Sequence, residues 1–172
     1  MATTRGYLLP ALAGGDELEA VSLTEIDRRM EDDTYTPTLT ASGGTPAIGA
    51  SGFLTGWWSR IGLDMDVWID INLAGAGVSL VGTSWRVSLP KQADLTRHSA
   101  GILAADSDAI GTSFWASGTA AQSLLTTCIL SAAAELIFYA SASSTSRGSG
   151  DFTTSGRIKA HVRYKVAASE FS

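Results

Sequence analysis

A strict alternation of polar and apolar residues near the C-terminus constrains the fold of this chain more than any other feature. Between residues 157 and 166 every second side chain is apolar, and the intervening ones are basic. The apolar set is Ile158, Ala160, Val162, Tyr164 and Val166, and the basic set is Arg157, Lys159, His161, Arg163 and Lys165. Only a β-strand places alternate residues on opposite faces, so this segment is predicted to be a strand with one buried face.

A second segment, residues 65–73, has the same period but an acidic polar face. Its apolar residues are Met65, Val67, Ile69, Ile71 and Leu73, and its polar side carries Asp66, Trp68, Asp70 and Asn72. Like charges along one strand repel, so a basic face is stabilised by an acidic neighbour. We therefore expect the two strands to be adjacent, within one chain or across a subunit boundary. The residues expected to pair across them are Asp66, Asp70, Arg157, Lys159 and Arg163.

Further strands predict a mostly β fold. Residues 52–61 read as the hairpin partner of 65–73, joined by a tight connection at 62–64, and residues 84–89 form a strand that Pro90 ends. More weakly patterned strands are expected at 100–105, 111–117, 122–131 and 135–140, with a Ser/Gly loop at 141–150. About eight or nine short strands with hardly any helix predict an antiparallel, jelly-roll-like β-sandwich.

The N-terminal fifth of the chain has a different character. Residues 1–33 hold eight acids and three bases, which accounts for the whole net charge of −5. Ser22 and Glu25 have the spacing of a capping box, and Leu23, Ile26 and Met30 recur at helical spacing. We therefore predict an arm and a short helix ending near Asp33, too short to be stable without docking. This divides the chain into an attachment arm, residues 1–33, and a head, residues 34–172.

Composition narrows the class of protein. Only 17% of residues are charged, against 45% apolar, which favours an assembly that covers apolar surface. The body is electrically neutral, so nothing indicates a nucleic-acid partner. No signal peptide or membrane span is recognisable, and the single Cys128 lies in an apolar run, where a buried thiol is expected. We expect synthesis in a reducing cytoplasm.

No arrangement of residues points to catalysis. His98 is predicted to be a solvated loop histidine, and His161 belongs to a basic strand face, where it is a poor base or metal ligand. The carboxylates of residues 64–70 lie on a polar face, unlike the desolvated acid that glycoside hydrolysis needs. The Asp-Ser-Asp at residues 106–108 is more typical of a turn than of a Ca²⁺ site. The sequence predicts no catalytic residue, metal or cofactor.

Three tryptophans are the main candidates for an interaction surface. Trp57 and Trp58 are consecutive, so in a strand one of them must face outward. Trp68 lies on the polar side of its strand. An exposed indole is costly unless something covers it. A subunit interface, a stacked sugar ring, or burial in a two-layered core remain open as the covering.

Several motifs in order are similar to one class of protein. They are YTPTLTASGGTP (residues 35–46), GFLTGWWSRIG (52–62), DVWIDINL (66–73) and SWRVSLP (84–90). Together they resemble the head domains of tail-fibre, minor-tail and other surface proteins of bacteriophages that infect actinobacteria. Gly6, Tyr7 and Pro10 also match a G-[YF]-x-x-P motif of short N-terminal attachment segments in such proteins. The resemblance covers roughly residues 5–90.

The resemblance implies a β-sandwich that forms a homotrimer on a virion and carries no catalytic residues. Anchoring to the major capsid protein or to tail proteins is then expected through Tyr7, Leu8, Pro10, Leu23, Ile26 and Met30. Fibre proteins of this kind usually carry a long shaft between arm and head, and none is present here. A protein mounted so close to its surface is expected to be a capsid decoration protein. The alternative is a receptor-binding tail protein that recognises host glycan through Trp57, Trp58 or Trp68.

Overall fold

Antiparallel strands make up most of the residues that a computed structural model of the chain describes, which are residues 30–98, 109–117, 123–140 and 154–171. Within these ranges the strands are β1 (Met30–Tyr35), β2 (Leu39–Ser42), β3 (Ala47–Ile48), β4 (Phe53–Ile61), β5 (Asp64–Leu73), β6 (Val78–Ser79), β7 (Thr83–Ser88), β8 (Ala109–Ser117), β9 (Ser123–Ala132), β10 (Glu135–Ala140) and β11 (Gly156–Lys165). One 3-10 helix, Ala168–Phe171, follows. The prediction of a mostly β, sandwich-like fold is confirmed.

Nine of the strands described form one sheet, in the order β1-β4-β5-β11-β8-β9-β10-β7-β2, and β3 pairs with β6 separately. The first and last strands of this order are consecutive in the chain, joined by residues 36–38 only. The sheet therefore curls until its two edges meet. At the meeting point the Tyr35 hydroxyl donates to Ser88 O, and Ser88 N–H donates to Thr38 O.

The inward faces of the curled sheet enclose one main core. The largest fully buried side chains include Trp85, Trp115, Tyr164, Phe138 and Met65. Tyr164 shows how a polar group is accommodated there, since its hydroxyl donates to Lys91 O at 2.9 Å. Every inward residue predicted for β5, β7 and β11 is buried, as their alternation requires.

The predicted adjacency of the acidic and basic strands is also confirmed. β11 pairs antiparallel with β5 along its whole length, from Gly156 opposite Leu73 to Lys165 opposite Asp64. β4 and β5 form the predicted hairpin, whose turn contains Gly62 with φ of 63°, a conformation that glycine adopts without steric cost. β11 thus lies beside a complete hairpin although it follows it by more than eighty residues.

The predicted helix is wrong where the structure describes it. Met30 to Asp33 belong to β1, the edge strand that pairs with β4, so the proposed boundary at residues 33–34 falls inside a strand. The reason is tertiary: Glu31 reaches Arg60 on β4, with Oε1 and Nη2 2.8 Å apart, and Tyr35 covers the space above Gly56. Edge pairing outweighed a weak helical spacing at the end of the segment.

Other predictions fall outside the described residues. These are the anchoring residues Tyr7, Leu8, Pro10, Leu23 and Ile26, the capping box, the strand at 100–105, the turn at 106–108 and the loop at 141–150. The strands that sequence reasoning missed are β1, β2, β3 and β6. β2, β3 and β6 are two to four residues long, which is too short for a period of two to be recognised, and β1 was missed because its first residues were assigned to the helix.

Candidate binding surface

Three aromatic rings form a continuous row across the outer face of β4, β5 and β11. Trp57, Trp68 and His161 are cross-strand neighbours in register. The two indoles lie 4.3 Å apart between ring centroids, tilted by 38°, and the imidazole stacks on Trp68 at 4.7 Å and 14°. We call Trp57, Trp68 and His161 the aromatic row.

The consecutive tryptophans divide between the two faces of β4. Trp57 is 40% exposed, whereas Trp58 is 8% exposed and packs in the main core. Trp68, at 37%, shares the outer face with Trp57. The predicted interaction set therefore reduces to Trp57 and Trp68, because Trp58 contributes to the core and not to this surface.

Two carboxylates flank Trp68 along β5, and side chains of β11 hold both. Arg157 contacts Asp70 in a bidentate pair, in which Nε lies 2.6 Å from Oδ1 and Nη2 donates to Oδ2. These hydrogen bonds to Asp70 raise the pKa of Arg157. On the other side of Trp68, Asp66 contacts two residues of β11. Its Oδ1 lies 3.2 Å from His161 Nε2, and the Oδ2 of Asp66 lies 3.9 Å from Arg163 Nε.

Lys159 was predicted to pair with an acid of β5, but the structure does not bring it into contact with one. Its Cα stands opposite that of Asp70, yet no ion pair joins it to a carboxylate in the ranges that the structure covers. On its other side the register places Phe114 of β8, which is 46% exposed. Lys159 is thus an exposed residue whose cross-strand neighbours are an acid and an aromatic side chain.

A shallow depression of about 330 Å³ opens on this face. Its lining includes Thr34, Thr55, Trp57, Trp68, Asp70 and Lys159. It therefore combines two indole surfaces with hydroxyl groups, one carboxylate and one ammonium. Small polar molecules with an apolar side are bound in proteins by this mixture of aromatic walls and a few fixed polar groups.

Sequence reasoning missed two aromatic side chains of this surface. Phe53, at the start of β4, is 38% exposed and lies under the guanidinium of Arg157, with 5.4 Å between Cζ and the ring centroid. Phe114 borders Lys159. The alternation in β4 and β8 was a usable signal, since both residues occupy outward positions. Asp64 and Lys165, whose Oδ2 and Nζ lie 2.5 Å apart, extend the charge pairing beyond the predicted residues.

The groups considered for chemistry lie elsewhere. His98 was predicted to be solvated, but its Nε2 accepts a hydrogen bond from Lys165 N–H at 2.8 Å, so it ties its loop to the end of β11. Burial raises the pKa of the Cys128 thiol to about 12, which keeps it protonated. Across the described ranges, no three His, Cys, Asp or Glu residues are grouped as metal ligands.

A second, more open depression of about 450 Å³ lies where β3 and β6 meet the main sheet. Its lining consists of small and apolar residues, including Leu39, Pro46, Ile48 and Leu54. It offers no charged side chain to orient a ligand.

Among the parts of the chain that the structure describes, no helix has the length and apolar character of a membrane span.

Comparisons with known proteins leave the site to be interpreted from its own geometry. No family model matches the chain, and no curated protein or solved structure is significantly similar to it.

Proposed function

We propose that this chain is a structural protein of a bacteriophage particle, displayed on its surface as a capsid decoration protein. The observation that carries the proposal is the placement of the phage-like motifs. They fall on β2, β4, β5 and β7, which belong to one curled sheet. The resemblance therefore follows the architecture of the head rather than isolated loops.

The proposed attachment uses residues that precede β1. This strand begins at Met30 and lies at the border of the sheet, which supports an attachment segment on its N-terminal side. The major capsid protein is the proposed partner, with tail proteins as the alternative. Assembly takes place in the host cytoplasm and ends on the virion.

We further propose that the head is a homotrimer. Exposed apolar side chains outside the aromatic row support association, because water-exposed Ile61, Val81 and Leu95 would be covered in an interface. Sedimentation equilibrium tests this directly. A mass three times that of one chain supports the proposal, and a monomer at micromolar concentration contradicts it.

The second candidate function is receptor binding at the tail. The exposed pair Trp57 and Trp68 favours it, since a binding surface keeps such side chains accessible.

The deciding experiment is to locate the chain on purified particles by electron cryomicroscopy with antibody labelling. Label distributed over the capsid supports decoration. Label confined to the tail tip contradicts decoration and supports the second candidate. Particles that contain none of the chain contradict both.

A further inference from the structure

We propose that the depression beside the aromatic row binds a hexopyranose ring of a neutral polysaccharide, held by packing against the indole of Trp57, which Trp68 supports, and by a vicinal diol placed between Asp70 and Lys159. The inference deepens the receptor-binding candidate and rests on it for its biological role. Sugar binding is measured on the isolated chain. An absence of binding would therefore not decide where the chain lies on the particle, which is tested separately.

The aromatic row supplies the apolar half of the site. One face of a pyranose ring exposes mainly C–H groups, which pack against an indole while the hydroxyls stay directed sideways. Trp57 packs against Trp68, with 4.3 Å between the ring centroids and a tilt of 38°, so Trp57 is the indole of the row that offers a face to a ligand. Trp68 is supported from behind by the stacked imidazole of His161, which Asp66 holds at 3.2 Å. The aromatic row is therefore fixed before the ligand arrives, which lowers the entropy cost of binding.

The polar half comes from Asp70 and Lys159, which stand opposite each other on neighbouring strands. Arg157 fixes the Asp70 carboxylate by its bidentate contact, and Arg157 itself lies over Phe53. A carboxylate has about four lone-pair sites, so two remain for ligand hydroxyls. The ammonium of Lys159 donates to a hydroxyl oxygen. Two adjacent sugar hydroxyls, one donating to the acid and one accepting from the base, match this pair.

The charges on the same face favour an uncharged ligand. Along β5 and β11 the outward ionised groups are Asp64, Asp66 and Asp70 against Arg157, Lys159, Arg163 and Lys165. They nearly cancel, so the face lacks the basic excess that nucleic acid binding needs.

A second copy of the chain fits this face less well than a sugar. The centres of protein interfaces are depleted of charge, and a buried interface here would desolvate Asp70, Arg157 and Lys159 together. A hydroxyl-rich ligand replaces the water around these groups with hydrogen bonds instead.

The test follows the indole N–H resonances of the full chain by NMR during titration with methyl glycosides of glucose, galactose, mannose and N-acetylglucosamine. Saturable shifts of Trp57 and Trp68 with millimolar affinity are expected for at least one glycoside. Trp58, Trp85 and Trp115 are buried and serve as internal controls, with no expected shift.

Variants assign the roles of the two halves. Trp57→Ala and Lys159→Ala are each expected to weaken binding at least about tenfold. Both residues lie on the outer face, so the unchanged spectrum of the core reports that these variants fold. Arg97→Ala removes an exposed side chain on the loop near Lys165 and is expected to bind like the parent chain.

Three results would overturn the proposal. The first is the absence of any shift at Trp57 and Trp68 with all four glycosides. The second is a shift that Trp57→Ala and Lys159→Ala leave unchanged. The third is a concentration-dependent shift of the same resonances without sugar, which would assign the face to contact between copies of the chain.

Discussion

Arg157 holds both carboxylate oxygens of Asp70 across the boundary between β11 and β5, although the two residues are 87 positions apart in the chain. The contact joins the last strand to the first hairpin of the sheet. It also orients Asp70 beside the aromatic row. One pair thus takes part in the sheet and in the proposed site.

This pair is expected to depend on ionic strength. Arg157→Ala should lower the urea midpoint of unfolding at low salt and lower it less in concentrated salt, because the screening length falls to about 3 Å at 1 M. Lys159→Ala is the matched control on the same strand face, and no salt-dependent loss is expected from it. An equal loss for Arg157→Ala at both salt concentrations would show that the charge pairing contributes nothing.

The two consecutive tryptophans should differ sharply in their effect on stability. Trp58→Ala empties a core position and is expected to cost about 3–5 kcal/mol of unfolding free energy. Trp57→Ala removes only an exposed cross-strand contact, worth about 0.2–1 kcal/mol. Chemical denaturation of both variants measures the difference. Similar losses would mean that Trp57 is covered in solution.

Replacement of acids in β1 tests the strand that sequence reasoning missed. Glu31 pairs with the nearly buried Arg60, so Glu31→Ala should cost about 1 kcal/mol, at the low end for a charged contact because Glu31 is itself half exposed. Asp32 points to the other face of the same strand and is the control, with an expected change within about 0.5 kcal/mol. Equal changes in unfolding free energy for the Glu31 and Asp32 variants would contradict the strand pairing of β1.

Stability should fall in alkaline solution. Burial raises the pKa of Tyr35 and Tyr164 above their ordinary 10.0 and that of Cys128 above its ordinary 9.0. Above these ordinary values the unfolded chain has lost protons that the folded chain retains. The stabilisation is therefore complete below about pH 9 and decreases as pH rises, by up to about 1.4 kcal/mol per pH unit for each group.

Urea unfolding between pH 7 and 11 measures this decrease. Cys128→Ala should move the onset of this decrease from about pH 9 to about pH 10, where Tyr35 and Tyr164 begin to contribute. A midpoint that stays constant up to pH 11 would contradict the prediction.

The local periodicity of the sequence determined which face each residue takes. Inward and outward positions of β5, β7 and β11 follow directly from their alternation, because a strand places successive side chains on opposite sides. The opposite charges of β5 and β11 also identified these strands as neighbours, since a strand with a basic outer face is stabilised beside a strand with an acidic one. The division of Trp57 from Trp58 required only that β4 be a strand.

The tertiary structure alone decided which strands close the sheet and what their outer faces assemble. Tyr35 reaches Ser88, and Glu31 reaches Arg60, through contacts that no local pattern encodes. Pairing with β4 gave β1 its strand conformation, and the exact register of β4, β5 and β11 brought Trp57, Trp68 and His161 into one row. Periodicity specifies which face of a strand each side chain takes. The choice of neighbouring strands depends on packing between segments far apart in the chain. A single sequence shows these neighbours only where the charges or shapes of two strands match.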